Sequence, residues 1–138
     1  MATLTLEQGL EYYLTHYPGL TALISTRTFL NRIPQGSVIP CLTFQRISTS
    51  RVITHDTKGL TGLAYPRFQF DSWAISYASA KAICDQVRAA LNGYRGMITV
   101  GADSVTIYAA LVEDERYNPD LDAGLHRLSS DYVIYHEE

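Results

Sequence analysis

A strand pattern changes into a helix pattern between residues 67 and 91, and this junction constrains the fold most. In RFQFDSWA, Phe68 and Phe70 alternate with Arg67 and Gln69, which is the period of a two-faced strand. In YASAKAICDQVRAALNG, apolar residues recur at three- and four-residue steps and predict one buried helical stripe: Ala80, Ile83, Cys84, Val87, Ala90 and Leu91. The segment is therefore predicted to be a strand followed almost at once by a helix.

The remaining segments show the same two periods. An opening helix is predicted from Leu6, with Thr5 as its N-cap, and strands are predicted at PCLTFQRIS, GMITV, SVTIYAALVEDE and from Leu125 onward. The order of helix, strands, helix and strands predicts an α+β fold: a mostly antiparallel β-sheet with two main helices packed on one face. The length of 138 residues predicts a single domain, residues 1–138.

Residues 48–62, STSRVITHDTKGLTG, form a long polar excursion between two predicted strands. They are rich in Ser, Thr and Gly, so the sequence leaves open a mobile loop or a protruding hairpin. A structureless segment of this length is uncommon in a compact domain unless it binds something. Arg51, His55 and Lys58 are therefore candidate interface residues.

The last predicted strand carries aromatic side chains on both faces. Tyr132 and Tyr135 fall on opposite sides, because successive side chains of a strand point opposite ways. A strand inside one domain usually buries one face and exposes the other to solvent. Because this strand carries aromatic residues on both faces, we expect a second layer or a partner to cover the second face too. The chain also contains ten tyrosines, a residue suited to surfaces that another protein covers. Tyr132 and Tyr135 are the aromatic candidates for an interface.

Composition excludes several classes of function. The net charge is −3 and the eleven Lys and Arg residues are scattered, so tight binding to nucleic acid is not expected. No apolar run has membrane-spanning length, and no secretion signal is recognised at MATLTLEQ, so a cytoplasmic protein without membrane association is expected. Cys41 and Cys84 match no metal-ligand spacing and are predicted to be buried thiols.

Tests for catalytic and metal motifs give no site. Ser48, Ser50, His55 and Asp56 contain the residue types of a nucleophilic triad, but nothing in the sequence fixes their geometry. The segment from Asn118 departs from a calcium loop at the positions that such a loop requires. We therefore predict a protein without catalytic residues, cofactor or metal. Two alternatives stay open: a small enzyme or ligand-binding domain with residues 48–62 as a lid and His55 as its acid or base, and a regulatory adaptor that docks through tyrosines.

Three segments, in this order, resemble a known family. They are NRIPQGSVIPCLTFQRIS, RFQFDSWAISYASAKAICDQVRAAL and ERYNPDLDAGLHRLSSDYVIYHEE. With the opening helix they span nearly the whole chain, and they are similar to the tail-completion proteins of long-tailed bacteriophages. These proteins are also described as tail terminators or tail-to-head joining proteins.

The resemblance implies a structural virion protein that works by assembly. Family members are small α+β domains that form a ring, commonly of six subunits, on the head-proximal end of the tail tube. Such a ring ends tail elongation and joins the tail to the head. Implied partners are further copies of the chain, the tail tube protein and the head connector or completion protein. The implied location is the head–tail junction of the virion, after assembly in the host cytoplasm. A head-completion or connector protein of the same phage class is the alternative.

The resemblance also implies that DNA passes through the ring without specific binding. An acidic channel would let DNA slide, because like charges prevent adhesion. Four acidic residues are candidates for the channel wall: Asp103, Glu113, Asp114 and Glu115.

Overall fold

The computed structural model describes residues 4–138, in which helices and strands follow the predicted order. The helices are α1 (Leu6–Thr15), α2 (Pro18–Ile24) and α3 (Tyr77–Leu91). The strands are β1 (Thr28–Leu30), β2 (Cys41–Ser48), β3 (Leu63–Ala64), β4 (Arg67–Ala74), β5 (Gly96–Val100), β6 (Asp103–Tyr117) and β7 (His126–Glu137). The fold is α+β, as predicted, and the short α2 accompanies the two main helices.

Local sequence signals set the ends of the two main helices. Thr5 begins α1 through a capping box, in which Thr5 Oγ1 accepts from Gln8 N at 3.2 Å and Gln8 Oε1 accepts from Thr5 N at 3.1 Å. Ser76 begins α3 by accepting from Ser79 N at 3.2 Å. Gly93 follows the end of α3 with φ of +81°, a conformation that favours glycine. The Thr5 cap agrees with the sequence-based prediction.

The sheet has the strand order β1-β2-β4-β7-β6-β5, and β3 pairs with β7 alongside β4. Only the pair β1 and β2 is parallel among the described strands. We call the sheet end near Tyr117 and His126 the loop end, because the β6–β7 connection lies there. We call the opposite end, near Ser48 and Glu137, the hairpin end. These names locate the surfaces described below.

The three helices and one face of the sheet enclose the hydrophobic core. The predicted stripe of α3 is buried at every position. From the sheet, Phe44, Phe70 and Tyr132 form an aromatic row, with ring centroids 5.4 Å apart for Phe44 and Phe70 and 5.4 Å apart for Phe70 and Tyr132. Tyr132 has no exposed surface. Its interface assignment is therefore corrected to a core role, because its face of β7 lies under the helices.

Residues 48–62 form the outer part of a protruding hairpin. Past the end of β2, Arg51 bridges to Ala64, Val52 N donates to Leu63 O at 3.0 Å, and Tyr65 N donates to Ser50 O at 2.8 Å. The two chain segments therefore continue the pairing of β2 and β4 beyond the sheet. Of the two expected forms, loop or hairpin, the hairpin is observed.

Replacing Tyr132 by Ala tests its role in the core. We expect the free energy of unfolding to fall by about 3–5 kcal/mol, because a large fully buried aromatic side chain is removed. Tyr132→Phe is the matched control, since the Tyr132 hydroxyl has no hydrogen-bond partner within the described residues. Urea denaturation measures the free energy of unfolding of both variants. A small loss in Tyr132→Ala, no larger than the loss in Tyr132→Phe, would contradict the core role.

Candidate interaction surfaces

The sheet face opposite the helices is covered by side chains of the sheet itself. Alternate residues of β4, β6 and β7 point to this face, which we call the open face. No helix packs there, yet Asp71, Ser129 and Asp131 are 8%, 0% and 5% exposed. Buried carboxylates are costly unless they are paired and hydrogen-bonded. The contacts around them therefore decide what this face can do.

Two arginines enclose Asp131. Arg67 donates from Nε and Nη2 to Asp131 Oδ2 at 3.1 and 2.9 Å. Arg116 Nη1 lies 3.2 Å from Asp131 Oδ1 in an ion pair without hydrogen-bond geometry, and 2.9 Å from Asp114 Oδ2. These contacts tie β4, β7 and β6 together across the open face and balance the buried charge.

Asp71 is held by neutral donors next to this ion-pair group. Ser129 Oγ donates to Asp71 Oδ1 at 2.6 Å, and Gln69 Nε2 donates to the same oxygen at 3.0 Å. Arg116 Nη2 donates to Gln69 Oε1 at 3.1 Å, which links the two carboxylates into one network. At the centre of the second face of β7, the polar network is therefore formed within one chain. Side chains of β4 and β6 provide the cover that the sequence predicted at this point.

Tyr135 lies on the open face near the hairpin end. Its ring stacks on Tyr65 with centroids 5.3 Å apart, and the side chain is half-buried. Tyr135 is therefore partly accessible, whereas Tyr132 is not. Because side chains of β7 alternate between its two faces, Tyr132 lies in the core and Tyr135 lies at the surface.

The protruding hairpin carries the three polar interface candidates. Arg51 donates to both oxygens of Glu138, from Nε at 2.7 Å and from Nη2 at 3.0 Å, and so fixes the hairpin base to the end of β7. This contact raises the pKa of Arg51 and lowers that of Glu138. His55 and Lys58 are exposed at the tip, and in residues 4–138 His55 makes no hydrogen bond or ion pair. The residues of the suspected triad are not brought together by any hydrogen bond.

Two apolar residues of the hairpin tip were missed by the sequence analysis. Ile53 is 72% exposed and Leu60 is 88% exposed. They are the most exposed apolar side chains of the hairpin. In the sequence they stand out as apolar residues within the polar segment 48–62, and this signal could have identified them.

A second exposed apolar group lies at the loop end. Tyr77 and Tyr117 pack edge to face at 5.4 Å, and Tyr117 Oη lies 2.7 Å from His126 Nδ1. Nearby in the chain, Ile75 and Leu121 are 73% and 72% exposed. The two ends of the sheet therefore present different apolar surfaces.

The four channel candidates do not form one patch within a subunit. Asp103 begins β6 at the hairpin end, and the other three follow about 35 Å farther along the strand, by the rise of an extended chain. Glu115 faces α3, 3.9 Å from both Lys81 and Arg88, while Asp114 pairs with Arg116 on the open face. Glu113 is exposed.

Burial raises the pKa of Cys41 and of Cys84 to about 11, so both remain neutral thiols at physiological pH. Within residues 4–138, no three His, Cys, Asp or Glu side chains are grouped closely enough to hold a metal ion.

Among the helices described for this chain, none has the length and apolar character that a membrane span requires.

His136 is buried near the hairpin end, on the helix-bearing face of β7. It is 6% exposed, and neither ring nitrogen has a hydrogen-bond partner among the described residues. Burial lowers the pKa of His136 below 6.5, and the guanidinium of Arg46 lowers it further. Glu138, the backbone of Glu137 and the carboxylate of Glu7 act in the opposite direction. The net effect favours the neutral imidazole.

These surfaces define an α+β domain with exposed apolar side chains at both ends of its sheet. The family model described as Tail completion protein gp17 matches residues 12–137. The chain therefore belongs to this family of bacteriophage tail structural proteins, and the resemblance seen in its three segments is confirmed.

Comparison with solved structures agrees on the fold. A chain from a structure described as "Virion of native gene transfer agent (GTA) particle" matches with a TM-score of 0.67 and 16% sequence identity. The match covers 96% of this chain and 95% of that chain. At this identity the likeness shows the fold alone. A search of curated proteins gives no match.

Replacing Asp131 by Asn tests the open-face network. We expect unfolding free energy to fall by about 1–3 kcal/mol, because the pairing of Arg67 and Arg116 with a buried carboxylate is lost. Asp114→Asn is the control: Asp114 contacts the same Arg116 but its side chain is 51% exposed, so we expect a change within about 0.5 kcal/mol. The network would be refuted as a stabilising element if both variants unfolded like the wild type.

The buried His136 predicts a pH dependence of stability. Because its pKa is lowered on folding, the unfolded chain binds the proton more readily, so stability is lost as pH falls below 6.5. When the pH is lowered from 7.5 to 5.5, we expect the free energy of unfolding to fall by about 1 kcal/mol less in His136→Gln than in the wild type. Urea denaturation at the two pH values measures this difference, and parallel losses would contradict it.

Proposed function

We propose that the chain is a structural virion protein that forms a ring on the head-proximal end of the tail tube. The ring would end tail elongation and join the tail to the head. The observation that carries the proposal is the match of residues 12–137 to the gp17 tail completion family. The virion origin of the structurally similar chain supports location in the particle. The head–tail junction is proposed from the family resemblance.

The two apolar ends support ring formation by heterologous contacts. A ring requires two different patches on each subunit, so that one patch binds the other on the next copy. Ile53 and Leu60 lie at the hairpin end, while Tyr77 and Leu121 lie in the loop-end region. Tyr135, partly exposed near the hairpin end, is a further candidate for contact. Six subunits are proposed from the family resemblance.

The remaining partners follow from the same proposal. The tail tube protein would bind one rim of the ring, and the head connector or completion protein would bind the other. DNA would pass through the channel without specific binding, and Asp103, Glu113, Asp114 and Glu115 are proposed for its wall. Glu113 is exposed, whereas Asp114 and Glu115 lie beside cationic groups. Glu113 is therefore better supported than Asp114 and Glu115.

Assembly is tested by solution mass and by negative-stain images of the purified protein, alone and with purified tails. We expect rings, or a monomer that converts to rings on tails. A protein that stays monomeric and does not join tails would refute the proposal. Binding to portal-bearing heads instead of tails would assign the chain to the alternative, a head-completion or connector protein.

Tyr135→Ala separates assembly from folding. Because Tyr135 is partly exposed, we expect reduced ring formation with a smaller loss of monomer stability than Tyr132→Ala causes. The measurements are the ring fraction by solution mass and unfolding by urea. A stability loss as large as that of Tyr132→Ala would place Tyr135 in the core instead.

The enzyme or ligand-binding alternative, with residues 48–62 as a lid, depends on His55. Under the structural proposal, His55→Ala retains tail joining and infectivity, because His55 has no hydrogen-bond or ion-pair partner in residues 4–138. Complementation of a phage lacking the native protein measures both. Loss of infectivity by a variant that still folds and assembles would favour the alternative.

A further inference from the structure

The last residues of β7 join the protruding hairpin to the sheet. β3, at the inner end of the hairpin, pairs with β7 over two residues, 136 and 137. Glu138 N donates to Gly62 O at 2.9 Å, and Arg51 pairs with the Glu138 carboxylate. The pairing of β7 with β4 has already ended at Val133. The joint between hairpin and sheet therefore depends on a short stretch of backbone.

The hairpin is also paired within itself. Val52 N donates to Leu63 O at 3.0 Å, and Tyr65 N donates to Ser50 O at 2.8 Å. These bonds connect the two segments of the hairpin and do not involve β7. Loss of the contacts to β7 would therefore free the hairpin as a unit without unfolding it.

His136 lies at this joint, and no hydrogen bond holds its ring. Its backbone position pairs with Ala64 of β3 and with Ile107 of β6. The residue is 6% exposed, and neither ring nitrogen has a hydrogen-bond partner among the described residues. Buried unpaired polar groups are rare in proteins and call for an explanation. Packing alone keeps this ring in place.

Three charged groups act on the His136 ring: Arg46 of β2, Glu138 at the end of β7 and Glu7 of α1. Arg46 repels a second positive charge. Both carboxylates are already paired, Glu7 with Arg46 and Glu138 with Arg51. The residues opposite His136 on β3 and β6 are apolar. A proton on His136 therefore gains no free carboxylate from these groups.

Arg46 is anchored more firmly than His136. Its Nη1 donates to Thr49 at 3.0 Å and its Nη2 donates to Glu7 at 2.8 Å. Its guanidinium also lies 5.3 Å from the centroid of the Phe68 ring. Because the His136 ring has no such hydrogen bonds, repulsion between the two charges is expected to displace the end of β7 and to leave β2 in place.

His136 titrates near neutrality, whereas the ion pair beside it does not. Burial lowers the pKa of His136 below 6.5, so the closed joint binds the proton less well than an open one. Opening is therefore favoured as the pH falls. The Arg51 contact lowers the pKa of Glu138 below 4.5, so this ion pair persists down to that pH. Glu137 is the next residue of β7 and accepts from the Tyr108 hydroxyl at 2.8 Å.

We propose that His136 is a pH-sensitive joint. Protonation of its ring displaces the end of β7 and releases the hairpin from the sheet, while α3 and the centre of the sheet stay folded. The hairpin carries the exposed side chains of Ile53 and Leu60, so acid changes how the chain presents them. The proposal does not depend on ring formation, because every group of the joint lies in one subunit.

Amide exchange followed by NMR tests the joint, with each rate divided by the intrinsic rate at the same pH. When the pH is lowered from 7.5 to 5.5, the open fraction reported by the Glu138 amide should rise about three- to tenfold. The Val52 amide, bonded within the hairpin, and the amides of α3 should keep their protection. Unchanged protection of Glu138, or an equal loss of protection in α3, would overturn the proposal.

Two variants assign the response to His136. His136→Gln should abolish the rise at Glu138, because the group that takes up the proton is gone. His55→Gln is the matched control: His55 is exposed at the tip of the same hairpin, and its replacement should leave the rise unchanged. His136→Leu serves in the same way if His136→Gln does not fold, and the wild-type measurement decides without either. A rise of equal size in His136→Gln, or its loss in His55→Gln, would refute the joint.

Discussion

The pairing of β7 on both of its edges is the interaction on which the structure depends. It runs antiparallel to β4 from His126 to Val133 and to β6 over a similar length. This central position places Tyr132 under the helices and Asp131 on the open face. Both faces of β7 are buried at its centre. One face packs against the apolar core and the other is covered by ion pairs, which explains its mixed composition.

The centre of the open face and the ends of the sheet differ in what they present. Arg67 hydrogen-bonds the buried carboxylate of Asp131 and Arg116 lies beside it, so the ion pairs at the centre form within one chain. The four most exposed apolar side chains that the structure describes lie on the hairpin or at the loop end: Ile53, Leu60, Ile75 and Leu121. Less exposed apolar side chains, such as Leu111 at 44%, lie on the strands.

Sequence periodicity predicted the elements well because the local signals and the tertiary packing agree. The α3 stripe, the Thr5 cap and the faces of β4 all follow from side-chain period and capping chemistry. Tyr132 was assigned to an interface because alternation separates two faces without saying which one the helices cover. The pairing of Arg67 with Asp131 joins residues 64 positions apart, and the pairing of Arg46 with Glu7 joins residues 39 positions apart. Such long-range neighbours leave no periodic signal.

Hydrogen–deuterium exchange of the free protein and of the protein bound to purified tails tests the central claim most directly. The claim is that the ends of the sheet, and not the centre of its open face, make the contacts. It predicts new protection of backbone amides in residues 48–62 or 118–125 on binding, with exchange in β4 and in residues 126–133 of β7 unchanged. New protection confined to β4 and residues 126–133, with both end segments exchanging as in the free protein, would contradict it.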